Sequence, residues 1–329
     1  MRHRRGNKLF WTKEILILNS TQSFLNLLNS KLSVWLAAAR LRTLPLSVAG
    51  IISGNAIASR DESFSLTIFS LSILTAIAFQ IISNFANDYG DGIKGTDNAD
   101  RVGPDRTLQQ GLLSAKALKK GIVIASLISF LLALSLIYVA LGGKQFLVSL
   151  FFIVLALSAV WAAIKYTVGR NAYGYSGLGD LFVFIFFGWV SVMGAYYLQT
   201  QSLDLTALFL GTAIGLLSVG VLNLNNMRDI ANDKNSQKNT LVVYMGSQWA
   251  KKYHYTLMIL GALFLFFGMG TAWVKENPLS LLIMLPIFFH LYRVVKIREA
   301  KAYDPLLKQL ALSTFIISFA LFVIYYRFQ

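Results

Sequence analysis

Two acidic segments, each embedded among long apolar runs, hold the residues best suited to chemistry in this chain. The first reads Asn84-Phe85-Ala86-Asn87-Asp88-Tyr89-Gly90-Asp91-Gly92-Ile93-Lys94-Gly95-Thr96-Asp97, the second Asn225-Asn226-Met227-Arg228-Asp229-Ile230-Ala231-Asn232-Asp233. On a helix, residues three or four apart share a face. Asn84, Asn87, Asp88 and Asp91 therefore form one polar stripe, and Asn226, Asp229 and Asp233 another. Asp97 follows in a loop that could fold back over the first stripe. Carboxylates at a membrane edge are costly unless a cation meets them. Mg2+ takes oxygen ligands and is usually held by one or two carboxylates together with water and substrate phosphates. Two facing stripes could thus clamp a diphosphate through bridging metal ions. A solvated helix end is the plainer explanation for one such cluster, but two clusters of matching spacing favour the clamp.

The elements that must position these stripes are membrane helices. Hydrophobic residues make up 56% of the chain and charged residues 14%, against about 25% charged in soluble domains; the mean hydropathy is +0.58. Nine apolar segments can be marked, near 33–59, 64–87, 116–141, 145–165, 178–199, 205–226, 250–274, 278–296 and 306–326. Each approaches the roughly 20 residues that a spanning helix needs, and none alternates as a barrel strand would. The expected architecture is an all-α membrane protein of about nine transmembrane helices. The stretches 88–115 and 227–249 read as long loops, each following an acidic segment. Residues 1–30 read as a basic extension ahead of a single transmembrane domain over 31–329. Cysteine is absent, which excludes disulfides and thiol chemistry.

The net charge of +15 follows topology rather than nucleic-acid binding, because the basic residues cluster at span ends. With the N-terminus inside, all but four of the 30 Lys and Arg (Arg60, Lys144, Lys275 and Arg327) face the cytoplasm, and so do both acidic segments. His254 and His290 read as lone structural histidines without a partner at metal-ligand spacing. The Phe-rich runs 182–187 and 264–267 suit either an apolar tunnel or a lipid-facing surface. No Gly-x-x-x-x-Gly-Lys-Ser/Thr loop is present, so nucleotide hydrolysis is not indicated.

Asn87-Asp88-x-x-Asp91 and Asp229-x-x-x-Asp233 resemble the two aspartate motifs of the UbiA superfamily of intramembrane prenyltransferases. The longer strings are similar to its MenA branch, which acts on 1,4-dihydroxy-2-naphthoate. They are the whole 84–97 segment, Arg101-Val-Gly-Pro104, Tyr166-Thr-Val-Gly169, Tyr173-Gly-Tyr-x-Gly-Leu-Gly-Asp180, Phe187-Gly-Trp189, Asn225-Asn-Met-Arg-Asp-Ile230, Lys238-Asn-Thr-Leu241 and the early Ala39-Arg40-x-Arg42-Thr43-Leu44-Pro45. The resemblance implies nine helices around a central cavity open to the cytoplasm, with a lateral opening to lipid, in a bacterial plasma membrane. It implies transfer of a polyprenyl group from its diphosphate to 1,4-dihydroxy-2-naphthoate, with loss of CO2 and diphosphate, in menaquinone synthesis.

The resemblance also implies Mg2+ as cofactor, with Asn87, Asp88, Asp91 and Asp97 at one metal site and Asn226, Asp229 and Asp233 at the other. Asp91, Asp97, Asp229 and Asp233 would be the catalytic acids. Lys94, Arg101, Arg106, Lys165, Arg228 and Lys238 would supply cations to the diphosphate, Arg as a planar fork and Lys as a point charge. Arg170-Asn171 reverses the order expected in that branch, which removes Arg170 from this set. Tyr89, Tyr166, Tyr173 and Tyr175 could face a carbocation, although packing is the simpler role. Two other readings compete. One is transfer to a different aromatic acceptor. The other is a cation- or proton-coupled transporter, whose acids would lie nearer the midplane on broken helices.

Overall fold

In a computed structural model, residues 30–143 and 145–327 are described, and the basic head lies outside them. Nine helices among the described residues are long and apolar enough to cross a membrane. We number them α1 (Ser30–Arg60), α2 (Leu66–Lys94), α3 (Ala115–Leu141), α4 (Phe146–Lys165), α5 (Gly179–Thr200), α6 (Leu205–Asn235), α7 (Leu241–Met269), α8 (Pro278–Val295) and α9 (Ala300–Tyr326). Helix starts obey local chemistry. Ser65, Ser114, Asp204 and Thr240 each accept a first-turn N–H with the side chain, satisfying a donor that the helix itself cannot. Helix α2 stops at Gly95, whose φ of 73° is left-handed.

The nine expected spans are present, but the segments after the acidic motifs differ from expectation. Helix α2 continues through Asp88 and Asp91 to Lys94, and α6 through Asp229 and Asp233 to Asn235. The stretch 227–249 is therefore not a long loop: only 236–240 separates α6 from α7. An apolar count ends a helix where hydropathy falls, yet these helices persist as polar extensions. Helix α7 in turn starts early and turns sharply at Gly246, where φ is 74°.

Helix α6 is the hub. In its most apolar stretch 61% of residues are buried, against 11% for α4. It packs on α7, α9, α1 and the middle of α5. Leu210, Ile214, Leu217 and Leu224 of α6 are fully buried with Met258 and Leu265 of α7 and Leu310 and Leu321 of α9. A second cluster joins α1, α2 and α3 through Ile82, Phe85 and Leu118. Between Phe184 and Val190, α5 widens to π geometry, a feature that recurs at functional sites. There Gly188 lies against α6, and a Cβ on it would come within 2.5 Å of the Gly211 carbonyl.

The two histidines are not lone. His254 of α7 and His290 of α8 are fully buried, and their Nε2 atoms lie 3.0 Å apart. Sequence separation hid a contact that only packing of α7 on α8 creates. His290→Leu leaves the His254 Nε2 buried without a partner and is expected to lower stability by about 1–3 kcal/mol. Thermal unfolding in detergent checks this, and the double leucine variant is expected to recover much of the loss.

Candidate active site

The site is built where the polar ends of α2 and α6 meet. After Gly95 the chain turns back, and the Asp91 carbonyl accepts N–H bonds from Thr96 and Asp97 at 3.0 and 3.4 Å. This turn places the Asp97 side chain, 7% exposed as a residue, among the acids and arginines of the site. The loop then lies on α6. Asn232 Nδ2 donates to the Thr96 carbonyl at 2.8 Å, and Gly103 N–H donates to Asp229 Oδ1 at 3.2 Å. A Cβ at Gly103 would lie 2.5 Å from Arg228 Nη2, so a larger residue there would displace that guanidinium.

Basic side chains cross between the two motifs. Lys238 Nζ is 3.3 Å from Asp91 Oδ2 and 3.9 Å from Asp233 Oδ1. Arg101 is 3.2 Å from Asp97 and 3.9 Å from Asp229, and Arg106 is 3.6 Å from Asp97. Attraction to Asp91 and Asp233 outweighs the burial of Lys238 and raises its pKa, so the ammonium stays charged. Burial, reinforced by Asp91, pushes the Asp97 carboxyl up to about 7, against the pull of Arg101 and Arg40.

Several oxygens in this region have no hydrogen-bond donor. Oδ2 of Asp97, Oδ2 of Asp233 and Oδ1 of Asn232 are buried and unpartnered among the described residues, and Oδ1 of Asp97 has only its ion pairs with Arg101 and Arg106. Orphaned acceptors of this kind call for a ligand, and all-oxygen donors suit a hard divalent cation. No three His, Cys, Asp or Glu side chains among the described residues already converge as a cage. Mg2+ needs none when phosphate oxygens and water complete its shell.

The expected site residues separate into distinct positions. Asn87, Asp91, Arg106 and Lys238 line a cavity of about 410 Å³, with Asn84 and Asn225 beside them. Asn225, not the buried Asn226, therefore faces this space. Asp88, expected at the metal site, has partners in the loop. Its carboxylate accepts from Thr107 Oγ1, from Thr107 N at 3.2 Å and from Leu108 N at 3.2 Å, so it clasps the loop. Arg228 is engaged too. Its guanidinium bonds Asp229 at 3.1 and 2.7 Å, Asp304 at 2.7 Å and Asn225 at 2.8 Å, which fixes Asp229 and occupies four of its five N–H donors. Lys165 is off the cavity wall, turned to the Gly169 loop. Lys94 lies 3.7 Å over the ring of Tyr175.

Tyr175 is the residue that spacing missed. Its hydroxyl donates to Asp91 Oδ1 at 2.7 Å and lies 2.6 Å from Thr96 Oγ1. Burial, then Asp91, raises the phenol pKa well above its usual value, so it remains a donor. An isolated bridge between Ser176 and Asn239 ties its loop to that of Lys238. Asp304, at the start of α9, offered no signal, being one acid far from either motif. Arg40 also lines the cavity, at the break between the two parts of α1. Away from these groups the cavity is apolar, walled by Ala133, Leu136, Phe152, Phe182, Phe186 and Phe187. The first Phe-rich run thus faces the cavity, while Phe264 and Phe266 pack against the α6–α7 core.

Comparison with known proteins agrees with this architecture. The chain is 40% identical over 295 residues to the 1,4-dihydroxy-2-naphthoate octaprenyltransferase of Haemophilus influenzae, covering 89% of this chain and 95% of that one. To the protein of the same name from Escherichia coli it is 42% identical over 248 residues, covering 74% and 80%. A UbiA homolog from Archaeoglobus fulgidus, solved bound to GPP and Mg2+, superimposes with a TM-score of 0.62 at 13% identity, covering 88% of this chain and 99% of that one. One from Aeropyrum pernix gives 0.61 at 17%, covering 87% and 98%. The UbiA prenyltransferase family matches residues 47–318, and the chain belongs to that family.

Proposed function

We propose that this membrane enzyme transfers a polyprenyl group from its diphosphate to 1,4-dihydroxy-2-naphthoate, releasing CO2 and diphosphate and forming demethylmenaquinol, the reduced form of demethylmenaquinone. The observation that carries the reading is the joining of two acidic helix tips, bearing unpartnered buried oxygens, over an apolar cavity. The names of the relatives above supply the acceptor. The tips face the cytoplasm of a bacterial plasma membrane, as the positive-inside rule requires. Residues 31–329 act as one catalytic unit.

Asp91, Asp97 and Asn87 on one tip and Asp229 and Asp233 on the other would hold Mg2+. The metal would draw charge onto the leaving diphosphate and so favour cleavage of the allylic C–O bond. Lys238, Arg101 and Arg106 are placed to take phosphate oxygens, exchanging their present carboxylate partners for the ligand. Tyr175 orients Asp91 through its hydroxyl. The prenyl chain lies along the apolar wall of Phe182, Phe186 and Phe187. The 95–114 loop, clasped by Asp88, keeps water from the allylic cation. The electron-rich ring attacks C1 of the donor at its carboxyl-bearing carbon, and departure of CO2 restores aromaticity.

Membranes holding the full chain, supplied with 1,4-dihydroxy-2-naphthoate labelled in its carboxyl carbon and an allylic diphosphate, test this. Labelled CO2 and an unlabelled prenylated lipid by mass spectrometry are expected; label retained in the product refutes the reading. Asp88 separates from the other acids in the same assay. Asp88→Asn weakens three hydrogen bonds to the loop, at about 1–3 kcal/mol in all. Faster proteolysis within 95–114 is expected at an unchanged Mg2+ requirement. A raised Mg2+ requirement returns Asp88 to the metal site.

A further inference from the structure

We infer that Arg40 is the carboxylate-recognising residue for the aromatic acceptor. The inference rests on the prenyl-transfer reading and goes beyond it by assigning a residue to the acceptor's charge. Among the described residues lining the cavity the cations are Arg40, Arg106 and Lys238. Arg106 and Lys238 have carboxylates at 3.6 and 3.3 Å. The Arg40 guanidinium has one hydrogen bond, a long one of 3.4 Å to the Asn84 carbonyl, and no acid within ion-pairing distance. Asp88, Asp91 and Asp97 attract it from beyond that distance. A guanidinium enclosed in a membrane bundle without a contacting counter-ion is costly, and a bound anion reduces that cost.

The chain holds Arg40 there against its backbone preference. Its φ of 51° and ψ of 60° are left-handed, a conformation that non-glycine residues seldom adopt and that collects at functional sites. The break is fastened from both sides. Asn84 Nδ2 donates to the Ala39 carbonyl at 2.7 Å and to Thr43 Oγ1 at 3.0 Å, and Thr43 Oγ1 donates to the Arg40 carbonyl at 2.9 Å. Arg42, two residues on, would serve equally as a topological anchor, so anchoring does not explain a strained residue turned to the cavity.

The surroundings specify the ligand. Gln80 and Ser83 line the same wall, presenting an amide and a hydroxyl group suited to phenols. Beyond them the wall is apolar. One fork-shaped cation, a few neutral polar groups and an apolar bed match a flat hydroxyaryl carboxylate. The diphosphate carries more charge and has Lys238, Arg101 and Arg106 at the acidic tips. The Arg40 fork pairs with a carboxylate through two N–H donors.

The test uses the purified full chain in detergent. For wild type, Arg40→Gln and Arg40→Lys it measures the KM of each substrate, the rate with 1,4-naphthalenediol, which lacks the carboxylate, and direct binding of 1-hydroxy-2-naphthoate by calorimetry. In Arg40→Gln the acceptor KM is expected to rise on the order of 10- to 100-fold, as for a lost charge-assisted hydrogen bond. The donor KM should hold, the preference for the carboxylated acceptor should vanish and calorimetric binding should disappear; Arg40→Lys should restore part. An unchanged acceptor preference, or a rise in donor KM instead, overturns the assignment while leaving the prenyl-transfer reading intact. If the wild-type protein prenylates neither acceptor, the prenyl-transfer reading falls and the assignment with it. Donor-analogue binding equal to wild type shows that each variant is folded.

Discussion

Asp91→Asn is expected to reduce prenyl transfer by about 10³-fold or more, the scale on which removal of one electrostatic group at a reacting centre acts. The substitution keeps the side-chain volume and an oxygen for the Tyr175 hydroxyl, which donates to Asp91 at 2.7 Å. It removes the charge that both Lys238, at 3.3 Å, and a metal require. Asp229→Asn should act alike from the opposite tip, where Arg228 and Gly103 N–H hold that carboxylate. Neither change touches an apolar contact of the α6–α7–α9 core. Each change breaks a buried ion pair, so stability should fall by about 3–5 kcal/mol while a cooperative unfolding transition remains. Turnover and unfolding measured on the same preparations decide the matter: wild-type turnover in either variant removes the metal clamp, and gross unfolding attributes the loss to structure.

Chelation is expected to stop the reaction as completely. Excess EDTA should bring transfer to background, and added Mg2+ should restore it. The chain should nevertheless remain folded while depleted of metal, because its acids have partners of their own. Asp91 and Asp233 keep Lys238, Asp97 and Asp229 keep Arg101, and Asp229 keeps Arg228. A metal site that holds its fold in this way differs from a small zinc domain, where metal affinity is folding energy. Unfolding monitored with and without EDTA should show only the modest stabilisation that a ligand gives by mass action. Transfer persisting in chelator would contradict the role given to the acidic tips.

Much of this arrangement was legible in the residues. Leu, Ile and Phe runs of spanning length marked the nine helices, because hydropathy is the dominant signal in a lipid solvent. Type, spacing and motif resemblance singled out Asp91, Asp97, Asp229 and Lys238, which the fold brings into one region of linked charges. Hydrogen-bond geometry was not legible. Asp88 and Asp91 are three residues apart and of one type, yet one clasps a loop and the other faces the cavity. Nothing in spacing tells which carboxylate meets Thr107. Arg228 lies inside a motif, but its commitment to Asp304 depends on how α9 packs against α6. The pairing of His254 with His290 likewise needed α7 and α8 side by side. Tyr175 was among the aromatics named, but its bond to Asp91 needed the folded 166–178 loop.

The π turn from Phe184 to Val190 has a consequence for how this cavity can change. A π segment accommodates one residue more than a regular helical course over the same rise. Excising a single residue there would tighten α5 to an ordinary helix, while Ser191, Ala195 and Leu198, which line the cavity beyond it, would keep their places because the extra residue is taken up within the π turn. Only the wall at Phe186, Phe187 and Val190 would be reset. That stretch can thus be refitted by deletion of one codon, while the acidic tips of α2 and α6 stay where they are.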